Sequence, residues 1–187
     1  CEYLINPIGV QNEKPRFSWT LNNGEADGLQ TKYRILVSDT VNNTGVESGN
    51  VWDSGIVDSN KSSGIEFMGR GLKSAKRYYW RVYIWLDNRD EPIISEEAWF
   101  ETGLFYNNDW NGSWIQSPNP QWGVSPMFRK SFQLDRSIKD ARIYISGIGY
   151  YELYTNGKRI GKKQLEPGWT DYRKRVLYST YDITEYL

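Results

Sequence analysis

Two stretches of alternating residues, Thr31 to Ser38 and Tyr78 to Leu86, restrict this chain more than any other feature. In the first, Tyr33, Ile35 and Val37 point one way while Lys32, Arg34 and Leu36 point the other. In the second, Tyr78 opens the run Tyr79-Trp80-Arg81-Val82, which continues through Ile84 and Leu86 until the polar turn Asp87 to Pro92 ends it. A period of two belongs to strands with one face on a core. Nine Trp and fourteen Tyr, with Ala and Leu sparse, push the same way, because aromatic side chains suit a pleated surface. The expectation is an almost all-β protein.

The first half reads as a seven-stranded sandwich over residues 1–103. Pro15-Arg16-Phe17-Ser18-Trp19 supplies an early strand whose Trp19 is expected in the core between the sheets. Val51 to Gly55 is a strand ending in a Ser-Gly turn, Ile65 to Met68 is another, and Ala98 to Thr102 is the last. Leu72 stands six residues before Tyr78, a spacing that resembles the tyrosine corner of immunoglobulin and fibronectin type III sandwiches. There the phenol hydroxyl bonds back to upstream backbone. The acidic residues Asp87, Asp90, Glu91, Glu96 and Glu97 lack the regularity of a calcium loop and read as a solvated turn.

Leu104 to Asn111 breaks the strand pattern and marks a boundary near Gly103, with a second β domain over 104–187. Trp114-Ile115 starts a new apolar element, and alternation resumes over Phe128 to Leu134. Ile143 and Ile145 face one way, Arg142 and Tyr144 the other. Tyr151, Leu153 and Thr155 then lead into Asn156-Gly157, the dipeptide suited to the positive φ of a two-residue hairpin turn, with Lys158 to Gly161 returning. A Pro-Gly turn follows at Pro167-Gly168, and Arg175 to Asp182 reads as the next strand.

The strings SGIGYYELYTNGKRIG and LEPGWTDYRKRVLYSTYDIT resemble the N-terminal accessory region of bacterial α-L-rhamnosidases. These multidomain glycosidases remove terminal rhamnose from plant glycosides and polysaccharides. The shorter pattern, a Tyr-rich strand entering Asn-Gly-Lys-x-x-Gly, is similar to jelly-roll, galactose-binding-like domains of other large glycosidases. The resemblance implies an incomplete jelly roll after the first sandwich, and a catalytic barrel elsewhere in the parent protein whose carboxylates map onto no residue here. Some relatives bind rhamnose with calcium in this jelly roll, so calcium is the cofactor and a rhamnose-containing glycan the ligand that the resemblance suggests. Downstream domains of the parent enzyme are the expected partners. A periplasmic or extracellular setting is expected, with the cytoplasm as the alternative. Cys1 in first place also suits a lipidated N-terminus, but CEYLINPIGV resembles an internal stretch of the same enzymes.

Composition removes several classes. With no His, the chain holds no Ser/His/Asp triad, no Cys/His pair and no His-ligated zinc, and one Cys forms no internal disulfide. Net charge is zero and the basic residues read as scattered, which argues against nucleic acid; no run is long and apolar enough for a membrane helix. A complete glycosidase would need two carboxylates flanking a cleft, and Glu152, Glu166 and Asp171 sit among turns without a recognisable partner. An independent carbohydrate-binding module is the closer alternative to a scaffold. Its candidate residues are Asn156, Trp169, Asp171, Tyr172 and Arg175, which offer a ring for the C–H face of a pyranose and polar groups for its hydroxyls. The same residues also read as structure: Trp169 as a core plug, Asn156 as a hairpin residue, Arg175 as the ion-pair partner of Asp171. Finally, a jelly roll takes about eight strands, and five or six are legible after Trp110. An open edge of that kind is expected to make the second half self-associate or disorder.

Overall fold

The computed structural model describes residues 1–21, 28–41 and 47–187. Two compact units emerge, Cys1–Asn107 and Asn108–Leu187. Among the described residues the fold is all-β, with regular structure otherwise limited to short 3-10 turns.

In the first unit, β1 (Arg16–Phe17) and β5 (Ile65–Glu66) form a small antiparallel sheet. The larger sheet is built on β2 (Gln30–Ser38) and β6 (Arg77–Leu86), paired antiparallel from Lys32↔Trp85 to Ser38↔Tyr79. β3 (Trp52–Asp53) and β4 (Val57–Asp58) both pair with β2, while β7 (Ile93–Ile94) and β8 (Ala98–Glu101) pair with β6. β3 and β4 amount to one edge strand interrupted at Ser54-Gly55. Counted so, the described residues give seven strands.

Burial along β6 alternates without exception, Tyr78, Trp80, Val82, Ile84 and Leu86 being buried and their neighbours half-buried. Facing them from the small sheet is Phe17, fully buried, its ring 4.9 Å from Trp80 and 5.9 Å from both Phe100 and Trp52. This ring contact joins the two sheets into a sandwich. The central role expected of Trp19 therefore belongs to Phe17. Trp19 sits at the rim, edge-on to Tyr33, because its indole N–H needs an acceptor and finds Gln30 Oε1 at 3.0 Å. Gln30 in turn donates to the carbonyls of Ser59 and Lys61. Leu36, on the opposite face from Tyr33, Ile35 and Val37, is buried as well; Arg81 and Asp53 flank it in register.

The corner forms as its spacing requires. The backbone N–H of Lys73 donates to the Tyr78 hydroxyl at 2.8 Å, with Leu72 and Tyr78 both buried. Asp87 is used locally, its Oδ1 accepting from the Leu29 N–H at 2.9 Å, and Asp87, Asp90, Glu91 and Glu96 are exposed while Glu97 is half-buried.

The second unit contains β9 (Arg142–Ser146), β10 (Leu153–Thr155), β11 (Lys158–Ile160) and β12 (Tyr178–Asp182). β9 pairs antiparallel with β12, and β10 with β11. Four strands replace the expected five or six. Trp114-Ile115 and Phe128 to Leu134 are not strands, and Trp114, Ile115, Phe128, Phe132 and Leu134 are at least half exposed. Alternation makes a strand only where there is a face to pack on, and these residues have none here. The last strand begins at Tyr178, three residues later than Arg175, because Thr170 to Arg175 closes on itself as a loop. Buried apolar side chains of this unit include Ile160, Pro167 and Ile183.

Two measurements check the first unit. Phe17→Ala should cost about 3–5 kcal/mol in urea unfolding, as expected for removing a fully buried ring, and clearly more than Trp19→Ala; equal losses would put the core elsewhere. A second expectation concerns pH. Hydrogen bonds from Arg16 hold the Glu2 carboxyl below its ordinary value, and those from Arg34 do the same for Asp53. A carboxyl depressed in the folded state contributes stability above its unfolded pKa and loses it as pH falls through the folded one, so the urea midpoint should drop as pH falls below about 4. Glu2→Gln together with Asp53→Asn should flatten that dependence.

Candidate functional site

The hairpin tip follows directly from its dipeptide. Asn156 has φ +50° and Gly157 φ +77°, so both central residues take the left-handed conformation of the tight turn that joins β10 to β11. Asn156 is not left free to meet a ligand with its whole amide, since Nδ2 donates to the carbonyl of Tyr186 at 2.8 Å. Gly161 ends the hairpin for a second reason. Its φ is +80°, and a Cβ there would stand 2.7 Å from Cε1 of Tyr181, so the Tyr181 ring lies directly against the glycine backbone. The Gly157-x-x-x-Gly161 spacing is thus a turn followed by a seat for a ring on β12.

Tyr181 anchors a small polar cluster that sequence reasoning missed. Its hydroxyl donates to Glu166 Oε2 and lies 3.3 Å from the Tyr151 hydroxyl, while Lys163 Nζ stands 3.7 Å from Glu166 Oε1. Burial, and then the bond to Glu166, pushes the Tyr181 phenol far above the ordinary tyrosine range, so it is a donor at every physiological pH. Tyr151 also pairs with Glu166 through backbone, N–H to carbonyl at 3.1 Å. The Tyr-rich character of the string was the available signal. Nothing in its spacing shows which tyrosines meet.

The remaining candidates share one loop. Thr170 Oγ1 donates to the Arg175 carbonyl at 2.6 Å, and the Lys174 and Arg175 N–H groups donate to the Asp171 carbonyl at 2.8 and 3.1 Å. Tyr172 is half-buried, its hydroxyl accepting from the Gly149 N–H at 3.0 Å, so it staples this loop to residues 147–150. Asp171 pairs with Arg173 at 3.1 Å and Lys174 at 3.9 Å, which corrects the expected pair with Arg175. Arg175 contributes backbone to the loop and an exposed side chain. Trp169 is 77% exposed, so it is not a core plug. The structure brings Trp169, Asp171, Tyr172 and Arg175 onto one loop, with Asn156 on the separate hairpin tip.

The carboxylates are all engaged. Glu152 meets Arg159 at 3.4 Å and accepts from the Tyr154 hydroxyl at 2.8 Å, Glu166 meets Tyr181 and Lys163, and Asp171 meets Arg173 and Lys174. Each of the three is thus committed to a partner of its own, and a glycosidase needs a pair that faces a common cleft. Among the described residues, no three of His, Cys, Asp and Glu gather where a metal ion could sit. Glu166 and Asp171, already matched by cations, do not fit calcium, which takes six to eight oxygens. What this segment offers is an exposed indole at Trp169 and exposed cationic side chains at Arg173, Lys174 and Arg175.

If the Tyr172 staple matters, Tyr172→Phe should leave the Gly149 N–H without its acceptor and speed its hydrogen exchange about fivefold, the loop bond being worth on the order of 1 kcal/mol. Unchanged exchange at Gly149 would mean the two loops are held otherwise.

Residues 1–106 match the family described as Rha78A-like, N-terminal immunoglobulin domain, and residues 136–187 match that described as Alpha-L-rhamnosidase N-terminal domain. An alpha-L-rhamnosidase of Formosa agariphila is 32% identical over 97% of this chain and 22% of its own length. The structure of alpha-L-rhamnosidase from Dictyoglumus thermophilum superposes with a TM-score of 0.89 at 39% identity, over all of this chain and 23% of that one. The Streptomyces avermitilis alpha-L-rhamnosidase complexed with L-rhamnose gives a TM-score of 0.58 at 26% identity, over all of this chain and 20% of that one. The chain thus spans about a fifth of the length of the relatives it matches.

Proposed function

Because this chain belongs to the family of Rha78A-like N-terminal immunoglobulin domains of α-L-rhamnosidases, we propose that it serves as the non-catalytic β scaffold of an enzyme that releases terminal L-rhamnose. The observation that carries this reading is the match itself. Nearly all of the chain aligns, yet it accounts for only about a fifth of the relatives. The state of the carboxylates agrees, since Glu152, Glu166 and Asp171 each have cationic or phenolic partners of their own. The 187-residue chain should therefore show no turnover of an aryl α-L-rhamnoside above the buffer rate; measurable release of the phenol would end the scaffold reading.

A carbohydrate-binding role is the second reading, and one observation favours it: Trp169 stands 77% exposed on a loop closed by hydrogen bonds. Aromatic rings presented on a held backbone are what sugar sites use. A polymeric glycan does not cross the bacterial inner membrane, so this role goes with a periplasmic or extracellular setting.

The exposed apolar stretch of the second unit bears on partners. Trp114, Ile115, Trp122, Val124, Met127, Phe128 and Phe132 are all more than half exposed, far beyond what a self-sufficient surface carries. In the parent protein these side chains are covered by its other domains. In the isolated chain they are covered by a second copy. Light scattering should show concentration-dependent association, reduced by Trp122→Ser with Phe128→Ser; a strictly monomeric chain at all concentrations would overturn this.

A further inference from the structure

Residues Lys158 to Arg175 hold seven Lys or Arg and two acids, Glu166 and Asp171, for a net charge of +5 in a chain whose total is zero. All other residues together therefore carry −5. Basic residues that looked scattered are concentrated in one short segment. The two acids there are already matched, Asp171 by Arg173 and Lys174, Glu166 by Lys163 and Tyr181. What faces solvent is cationic: Lys163, Arg173 and Lys174 have side chains more than four-fifths exposed, and Lys158, Lys162 and Arg175 are exposed too.

The same loops present apolar surface. Ile148, Tyr150, Leu165 and Trp169 are each more than half exposed. They stand on segments that the Tyr172 to Gly149 bond and the Tyr151 to Glu166 backbone bond hold together. A flat ring suits the C–H face of a pyranose. Guanidinium and ammonium groups suit a carboxylate, through charge-assisted hydrogen bonds.

We propose that the loops 147–150, 161–166 and 168–175 bind an anionic glycan, a uronate-bearing polysaccharide, stacking one sugar on Trp169 and holding carboxylates with Lys162, Lys163, Arg173, Lys174 and Arg175. Calcium has no part in it, because the surplus charge repels a cation and the acids are taken. A glycan fits better than nucleic acid because the chain as a whole has no basic surplus of the kind that nucleic-acid-binding domains carry. This assignment rests on the carbohydrate-binding reading above and names its ligand class.

The test is calorimetric titration of the 187-residue chain with an α-1,4-linked galacturonate oligomer, beside a neutral galactose oligomer of the same linkage and length. The galacturonate oligomer should bind, weaken about tenfold as NaCl is raised from low to physiological concentration, and be indifferent to EDTA. Lys174→Glu with Arg175→Glu should weaken binding by about tenfold or more, and Trp169→Ala should weaken it as well. All three side chains are exposed, so near-ultraviolet circular dichroism reporting on the first unit's core should not change. Equal affinity for the neutral oligomer, a requirement for calcium, binding untouched by charge reversal, equal binding of an oligothymidylate, or no heat at all would each overturn the proposal. The scaffold reading fails on a separate result, hydrolysis of an aryl rhamnoside by this chain.

Discussion

The antiparallel register between β2 and β6 is the constraint on which the first unit depends. Pairing Lys32 with Trp85 and Ser38 with Tyr79 puts Tyr33, Ile35 and Val37 on the same face as Tyr78, Trp80, Val82 and Ile84. A slip of β2 by one residue would turn Tyr33, Ile35 and Val37 away from Phe17 and bring Lys32, Arg34 and Leu36 to the core face. Among the described residues no other sheet contact in this unit pairs so many residues, and β3, β4, β7 and β8 all attach to one of these two strands. Phe17 then closes the sandwich from the small sheet. Tyr78 links this core to its loop, because the residue that starts the inner row also accepts from the Lys73 N–H through its hydroxyl.

The second unit is held by a different balance. Its strands are short, most of β9 and β12 is only half-buried, and its large apolar residues are largely exposed. Polar links from aromatic residues and charged pairs supply order instead. Tyr181 meets Glu166 and Tyr151, Tyr172 accepts from Gly149, and Arg142, its side chain 9% exposed, pairs with Asp182 across β9 and β12 at 3.0 Å. Hydrogen bonds of this kind contribute modestly each, on the order of 1 kcal/mol, and do not replace a buried core.

Function follows the same division. A scaffold needs a buried core and loops held by hydrogen bonds, and the first unit's core and the Tyr78, Tyr172 and Thr170 bonds supply them. A hydrolase needs two carboxylates with contrasting environments, and here every candidate carboxylate has a cation or a phenol beside it. The backbone of the loop after Trp169 is closed by Thr170 and Asp171, so the exposed indole and the basic side chains stand on a hydrogen-bonded frame.

Much of this was legible in the residues themselves. Strict alternation in Tyr78 to Leu86, the Leu72 to Tyr78 spacing and the Asn156-Gly157 dipeptide each reflect local backbone and side-chain geometry, which sequence encodes directly. The strand character, the corner and the hairpin therefore followed. Partner choice did not. Whether Phe17 or Trp19 fills the core depends on where β1 stops and on an acceptor contributed by Gln30 from another strand. Whether Phe128 to Leu134 becomes a strand depends on a face to pack against, and alternation alone provides none. That Asp171 takes Arg173 and Lys174, that Tyr181 finds Glu166, and that Trp169 is left in solvent were decided by tertiary structure, because long-range contacts, burial and charge pairing are set by which segments meet in space and not by spacing along the chain.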